Sequence, residues 1–157
     1  MIMSKRKFCA TLLCLVMFLA LIAVPSYGMT IQEGLKLIVK AEDNIIDAAY
    51  QNGFDILHME IDTIRLGDSY TLTRTLNAGT GYEAYGVGVG ITQLKIQILD
   101  SKKKVVAENS GEQPDVNFIV KADGDYDIVV SCDELNQSNS QDSDYYFFLA
   151  LATQPKK

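Results

Sequence analysis

From Phe54 onward, apolar residues recur at every second position, and the runs are broken at short, regular intervals. Leu57, Met59 and Ile61 alternate with His58, Glu60 and Asp62. Tyr70, Leu72 and Leu76 alternate with Thr71, Thr73 and Thr75. Similar runs carry Tyr85–Ile91, Leu94–Ile98, Val105–Glu108, Val116–Val120, Tyr126–Val130 and Tyr145–Leu151. Gly67-Asp68, Asn77–Gly81, Asp100–Lys103, Asn109–Gly111 and Ala122–Asp125 supply turn chemistry between them, and a polar loop is expected over Ser131–Asp144. A period of two belongs to a half-buried strand, and turn signals every eight to twelve residues or so belong to a sandwich or barrel. No helical pattern separates the runs, so a parallel sheet is disfavoured. The expected fold is mainly β: an antiparallel, jelly-roll-like β-sandwich of about eight strands.

The residues before Phe54 follow other rules. Lys5, Arg6 and Lys7 precede an uncharged apolar run from Phe8 to Val24, and Pro25-Ser26-Tyr27-Gly28 places small residues at the exit. That order reads as a secretory signal peptide over residues 1–28, cut before Met29. An uncleaved segment would make a membrane anchor instead. Next comes one amphipathic helix over residues 29–53. Thr30 and Glu33 form a capping box. Ile31, Leu35, Ile38, Val39, Ile45, Ile46 and Ala49 recur at helical spacing opposite Gln32, Lys36, Lys40, Asp43 and Asp47. Asn52-Gly53 supplies the stop. The apolar stripe requires a cover, either the sandwich of residues 54–157 or a partner.

Charge and cysteine content narrow the function. Removing the signal leaves 11 basic and 20 acidic residues, a balance of −9. A domain this acidic repels phosphate backbones, so nucleic acid is not an expected partner. The expected location is the periplasm or the extracellular medium, and the expected partner is a protein or polymer found there. Membrane association follows only if the signal stays uncleaved. Cys9 and Cys14 leave with the signal; Cys132 remains alone, so no internal disulfide forms and the thiol reads as a small core residue.

No motif carries catalysis. Gly86, Gly88 and Gly90 alternate along a strand and match neither a dinucleotide fingerprint nor a P-loop. They leave one face bare for close packing against a neighbour, such as the helix. His58 is the sole histidine. It lacks a nucleophile elbow and companion zinc ligands, and it reads as a surface residue. No cofactor is expected. The candidate metal ligands, for a hard cation such as Ca2+, are Asp123, Asp125, Asp142 and Asp144. They fall in acidic segments that lack the glycine and distal glutamate of an EF-hand loop. Asn136-Gln137-Ser138 matches a glycosylation acceptor.

Residues 65–153 or so also resemble the bacterial pre-peptidase C-terminal domain family. The resemblance rests on Ile96–Asp100 entering a turn, Val105–Ala107 leaving it, Pro114, Val116–Phe118, the Ala122–Val130 turn and strand, and Tyr146–Leu149. Leu76-Asn77-Ala78-Gly79 followed by Tyr82 matches the family's opening hairpin. The resemblance implies a secreted jelly-roll-like sandwich without catalysis of its own. Gln93 and Lys95 stand where the family has an acidic pair, so no ligands are carried over. The expected function is a secreted, non-catalytic binding or interaction module. The alternative is a calcium-stabilised polymer- or carbohydrate-binding domain, with Tyr82, Tyr85 or Tyr145 as aromatic platforms. A carboxylate-based hydrolase is the remote alternative.

Overall fold

The computed structural model describes residues 31–136 and 143–154; the signal segment, Thr30 and Asp142 lie outside them. One helix, α1 (Ile31–Asn52), precedes eight strands: β1 (Asp55–Ile64), β2 (Ser69–Leu76), β3 (Gly81–Gly88), β4 (Ile91–Leu99), β5 (Val105–Gly111), β6 (Asp115–Ile119), β7 (Gly124–Leu135) and β8 (Tyr145–Thr153). They form two four-stranded antiparallel sheets, sheet I in the order β1-β8-β3-β6 and sheet II in the order β2-β7-β4-β5. This interleaving is the jelly roll. The segment from Ser131 onward differs from expectation, because β7 continues to Leu135. Cys132 and Leu135 are buried there, so Asp133 and Glu134 belong to a strand rather than a loop.

Side chains of both sheets interleave in the main core. Leu72, Leu76, Tyr82, Leu94, Ile96, Ile98, Ile128, Val130, Phe147, Leu149 and Leu151 all lie in it. Tyr82 stacks on Phe118 with ring centroids 5.7 Å apart, and its hydroxyl accepts the Asn77 N–H at 3.0 Å. Cys132 is fully buried with its thiol free. Gly86 and Gly88 face this core rather than the helix. A Cβ on Gly88 would lie 2.8 Å from Ile91 Cβ, and one on Gly86 would lie 3.0 Å from Ile96 Cδ1. Their bareness lets β3 and β4 of the opposite sheet approach closely.

A second core lies on the outer face of sheet I. Ile38 of α1, Tyr85 of β3, and Phe148 and Ala150 of β8 are its buried members, with Ile45, Met59, Val87 and Val89 packed around them. The sandwich therefore covers the helix stripe. The buried positions are Gly34, Ile38, Ala41 and Ala49, and Gly34 sits against Val89. Val39 and Ile46, expected on the stripe, are 49% and 40% exposed and lie on the helix flank instead. Gly53, at φ 72°, ends the helix, and the Phe54 N–H donates to the Ala49 carbonyl at 2.9 Å.

The edges β1 and β2 face each other across the sandwich. His58, expected at the surface, turns toward β2. Arg74 donates to its Nδ1 at 2.8 Å, and its Nε2 lies 3.0 Å from Glu60 Oε2. A guanidinium has only donors, so Nδ1 accepts from Arg74 and Nε2–H donates to Glu60. The Tyr70 hydroxyl donates to the same Glu60 oxygen. These bonds hold the Glu60 carboxyl below its ordinary range, while burial first and Glu60 second push Tyr70 up to about 12. The four side chains clasp sheet I to sheet II. Beyond them, the acidic Asp55 and Asp62 and a bulge near Leu57 blunt β1 against stray strand pairing.

The second core makes helix packing testable. Ile38→Ala should cost about 2–4 kcal/mol in urea unfolding, whereas Val39→Ala should cost about 0.5 kcal/mol or less. Equal losses at both positions would mean that the helix does not dock through Ile38.

Candidate binding shelf on the outer face of sheet I

The acidic residues singled out in the sequence are not brought together. Asp123 Oδ1 accepts the Ala78 N–H at 2.6 Å and so closes the β2–β3 loop. Asp125 accepts from the Thr75 hydroxyl at 2.6 Å. Asp144 lies at the other end of the molecule, paired with Arg65 at 2.6 Å, a contact that holds its carboxyl below the usual range. The two ends are separated by the length of β2, about 25 Å at 3.3 Å per residue. Among the described residues no group of three or more His, Cys, Asp or Glu side chains is arranged to hold a metal. Asp127, on the outer face of sheet II, is enclosed by the Thr73 hydroxyl at 2.9 Å and by the Lys103 ammonium. Lys103 has φ 61° in the β4–β5 turn. Asn136 is 3% exposed, so its amide is enclosed rather than presented as a glycosylation acceptor. Tyr82 and Tyr85 are buried, at 2% and 5% exposure, and offer no open ring face.

A different pair of carboxylates does come together, on the outer face of sheet I beside the second core. Strand alternation puts Tyr82 and Ala84 in the main core and Glu83 and Tyr85 on the outer face. On β6, Val116 and Phe118 point inward, which leaves Asp115, Asn117 and Ile119 outward. The register sets Glu83 opposite Asn117 and Tyr85 opposite Asp115. Glu83 and Asp115 are therefore diagonal neighbours, about 7–8 Å apart in such a ladder.

Amides frame the pair. Asn117 Nδ2 donates to Asp115 Oδ1 at 3.2 Å, and Gln154 Nε2 donates to Asn117 Oδ1 at 2.9 Å. Gly81 makes room for Gln154, since a Cβ there would lie 2.5 Å from its Oε1. The Tyr85 hydroxyl donates to Gln113 Oε1 at 3.3 Å. Ile119 stands 69% exposed at the rim.

The electrostatics of this shelf set it apart. Glu83 is only 9% exposed, and among the described residues it has neither an ion pair nor a hydrogen bond from its side chain. Burial, with Asp115 as the second cause, raises its carboxyl to about 8. Burial likewise raises Asp115, against the opposing bond from Asn117, and raises Tyr85 well above the phenol range. Sequence reasoning passed over Glu83. One signal was available: it is the only charged residue between Arg74 and Lys95.

No family model matches the chain, and neither does any curated protein. Several solved structures are similar in outline. One is PliG, a periplasmic lysozyme inhibitor of g-type lysozyme from Aeromonas hydrophila. It is 15% identical, with a TM-score of 0.43 over 62% of this chain and 85% of that one. A de novo designed double-stranded β-helix gives 14% identity and a TM-score of 0.33 over 60% of this chain and 97% of that one. The CBM22-1–GH10 modules of Clostridium thermocellum xylanase 10B give 12% identity and a TM-score of 0.32 over 68% of this chain and 26% of that one. Likenesses this loose carry no functional statement for this chain.

Glu83 gives the shelf a pH signature. Between an ordinary 4.5 and its folded value of about 8, the native Glu83 holds a proton that the unfolded chain has lost. Its contribution is fully present below about 4.5, declines as pH rises through this window, and is flat above about 8. Glu83→Gln should reduce that decline to the share left by Asp115, as read from urea midpoints between pH 5 and 9. Parallel profiles for the two proteins would contradict the buried, unpaired carboxyl.

Proposed function

We propose that this chain is an exported, non-catalytic binding module that engages a periplasmic or extracellular partner through the outer face of sheet I. The observation carrying this reading is the Glu83–Asp115 shelf, where a nearly buried carboxyl lacks any partner from the described chain. An uncompensated buried acid costs stability in the free protein, and a bound partner can supply the missing interaction. The resemblance of residues 65–153 to pre-peptidase C-terminal domains supports the same non-catalytic role. The signal-like residues 1–28 support export. In the described residues no helix is long and apolar enough to cross a membrane.

A carboxylate-based hydrolase is the remote alternative. A glycosidase pair flanks the scissile bond, with an acid on one side and a base or nucleophile on the other. Glu83 and Asp115 rise side by side from adjacent strands of one sheet face, so turnover by wild-type protein is the readout that separates the two readings. The competing reading is a calcium-stabilised polymer-binding module, for which Asp123 and Asp125 would have to act apart from Asp144 at the other end of the molecule.

These readings separate in solution. Wild-type protein should turn over no member of a glycoside and peptide panel, and calcium should leave its melting midpoint unchanged. Turnover lost on Glu83→Gln would establish a hydrolase instead. A calcium-induced rise of several degrees would favour the calcium-stabilised domain. Mass spectrometry of the exported chain should find Met29 at its start, whereas an intact Met1 would make the module membrane-tethered.

A further inference from the structure

The chemistry of the shelf narrows the partner. It presents two carboxyls: that of Glu83, nearly buried and without a bond from the described residues, and that of Asp115, half-buried, whose Oδ1 accepts from Asn117. Each framing amide nitrogen gives one of its two N–H groups within the frame, Asn117 Nδ2 to Asp115 and Gln154 Nε2 to Asn117, and the Tyr85 hydroxyl donates to Gln113. The titratable groups facing Glu83 are Asp115 from β6 and Tyr85 along β3. From β8 the opposing residue is Ala152, which cannot be charged. The basic residues of α1, Lys36 and Lys40, are exposed and form no ion pair with the shelf. Two carboxyls and no cation from the described chain describe half of a charge-assisted site.

Resting on the binding-module reading, we propose that the shelf between Glu83 and Asp115 seats a protonated amine or guanidinium presented by a basic partner. An ammonium brings three donors and a guanidinium five, enough to satisfy both carboxyls at once. The exposed side chain of Ile119 at the rim suits the methylene stem of such a side chain. The acidic excess of the chain attracts cationic partners from a distance. Seating the cation favours the ionised form of Glu83, which then gives its proton to solvent. At neutral pH binding is accompanied by release of close to one proton, because Glu83 is mostly protonated when free.

The test is calorimetry on the full mature chain with three probes: an acetylated oligolysine, a short alkyl diamine and a neutral xylo-oligosaccharide. Titrations at pH 7 in two buffers of different ionisation enthalpy read the proton release. Oligolysine should bind with release of close to one proton, and Glu83→Gln should weaken it at least tenfold and abolish the release. Asp115→Asn should weaken binding while keeping most of the release. Binding of the diamine as tightly as oligolysine would assign the site to a free polyamine rather than a protein side chain. Oligosaccharide binding that depends on Glu83 would overturn the cation seat yet leave a binding module. No binding of any probe, or oligolysine binding indifferent to Glu83→Gln, would also overturn the inference. The pH profile of Glu83→Gln shows independently whether that variant is folded.

Discussion

The structure depends on β8 being buried on both faces. Phe147, Leu149 and Leu151 enter the core between the sheets, while Phe148 and Ala150 enter the core beneath the helix. A strand in an antiparallel sandwich ordinarily shows water one of its faces, and its sequence alternates accordingly. The run from Phe147 to Leu151 does not alternate, so a lone sandwich would leave Phe148 in solvent at the middle of sheet I. Helix α1 is the cover that this strand demands. The jelly-roll order sets β8 between β1 and β3, where a helix laid across it also reaches Met59, Val87 and Val89.

Covering one part of sheet I leaves another part beside it. The outer face of β3 changes along its length from Val87, under the helix, to Tyr85 at the margin and Glu83 beyond. Burial by the neighbouring strands takes water from Glu83 without providing a counter-charge. The carboxylates of sheet II contrast with it. Thr73 and Lys103 serve Asp127, and Thr75 serves Asp125. Accepting bonds from Lys103 and Thr73 draws Asp127 below its ordinary range, whereas burial draws Glu83 above it. One fold thus uses Asp123, Asp125, Asp127 and Asp144 as fasteners and leaves the Glu83 carboxyl without a bond from the described residues. A protein under selection for stability alone would replace such a group with an apolar one, which is why the shelf is the best candidate for the working surface.

The period of two and the turn residues were enough to read eight strands and a sandwich, because both signals are local. The helix was equally legible, from its stripe and from Gly53. Side-chain partnerships were not, since they join residues far apart in the chain. Asp125 looks like a free calcium ligand until β2 is laid beside β7, which brings Thr75 to it from 50 positions away. His58 looks solvated until the sheets close and Arg74 arrives. The glycines of β3 announced a close approach, but not whether the helix or β4 would make it. Ser131–Leu135 reads as polar, yet Cys132 and Leu135 carry the strand pattern through it. Glu83 was hidden by its neighbours: a single acid in an aromatic and glycine-rich run reads as the solvent side of a strand, and only the register with β6 reveals Asp115 next to it.

If α1 is the obligatory cover of β8, the two elements open together. Native-state amide hydrogen exchange measures this directly. Amides around Ile38, Ala41 and Ile45 should exchange with the same opening free energy as those of Phe147–Leu151, and should respond in parallel to added denaturant. Rapid exchange of the helix amides while β8 remains fully protected would show that the sandwich stands without its cover, and would contradict the account.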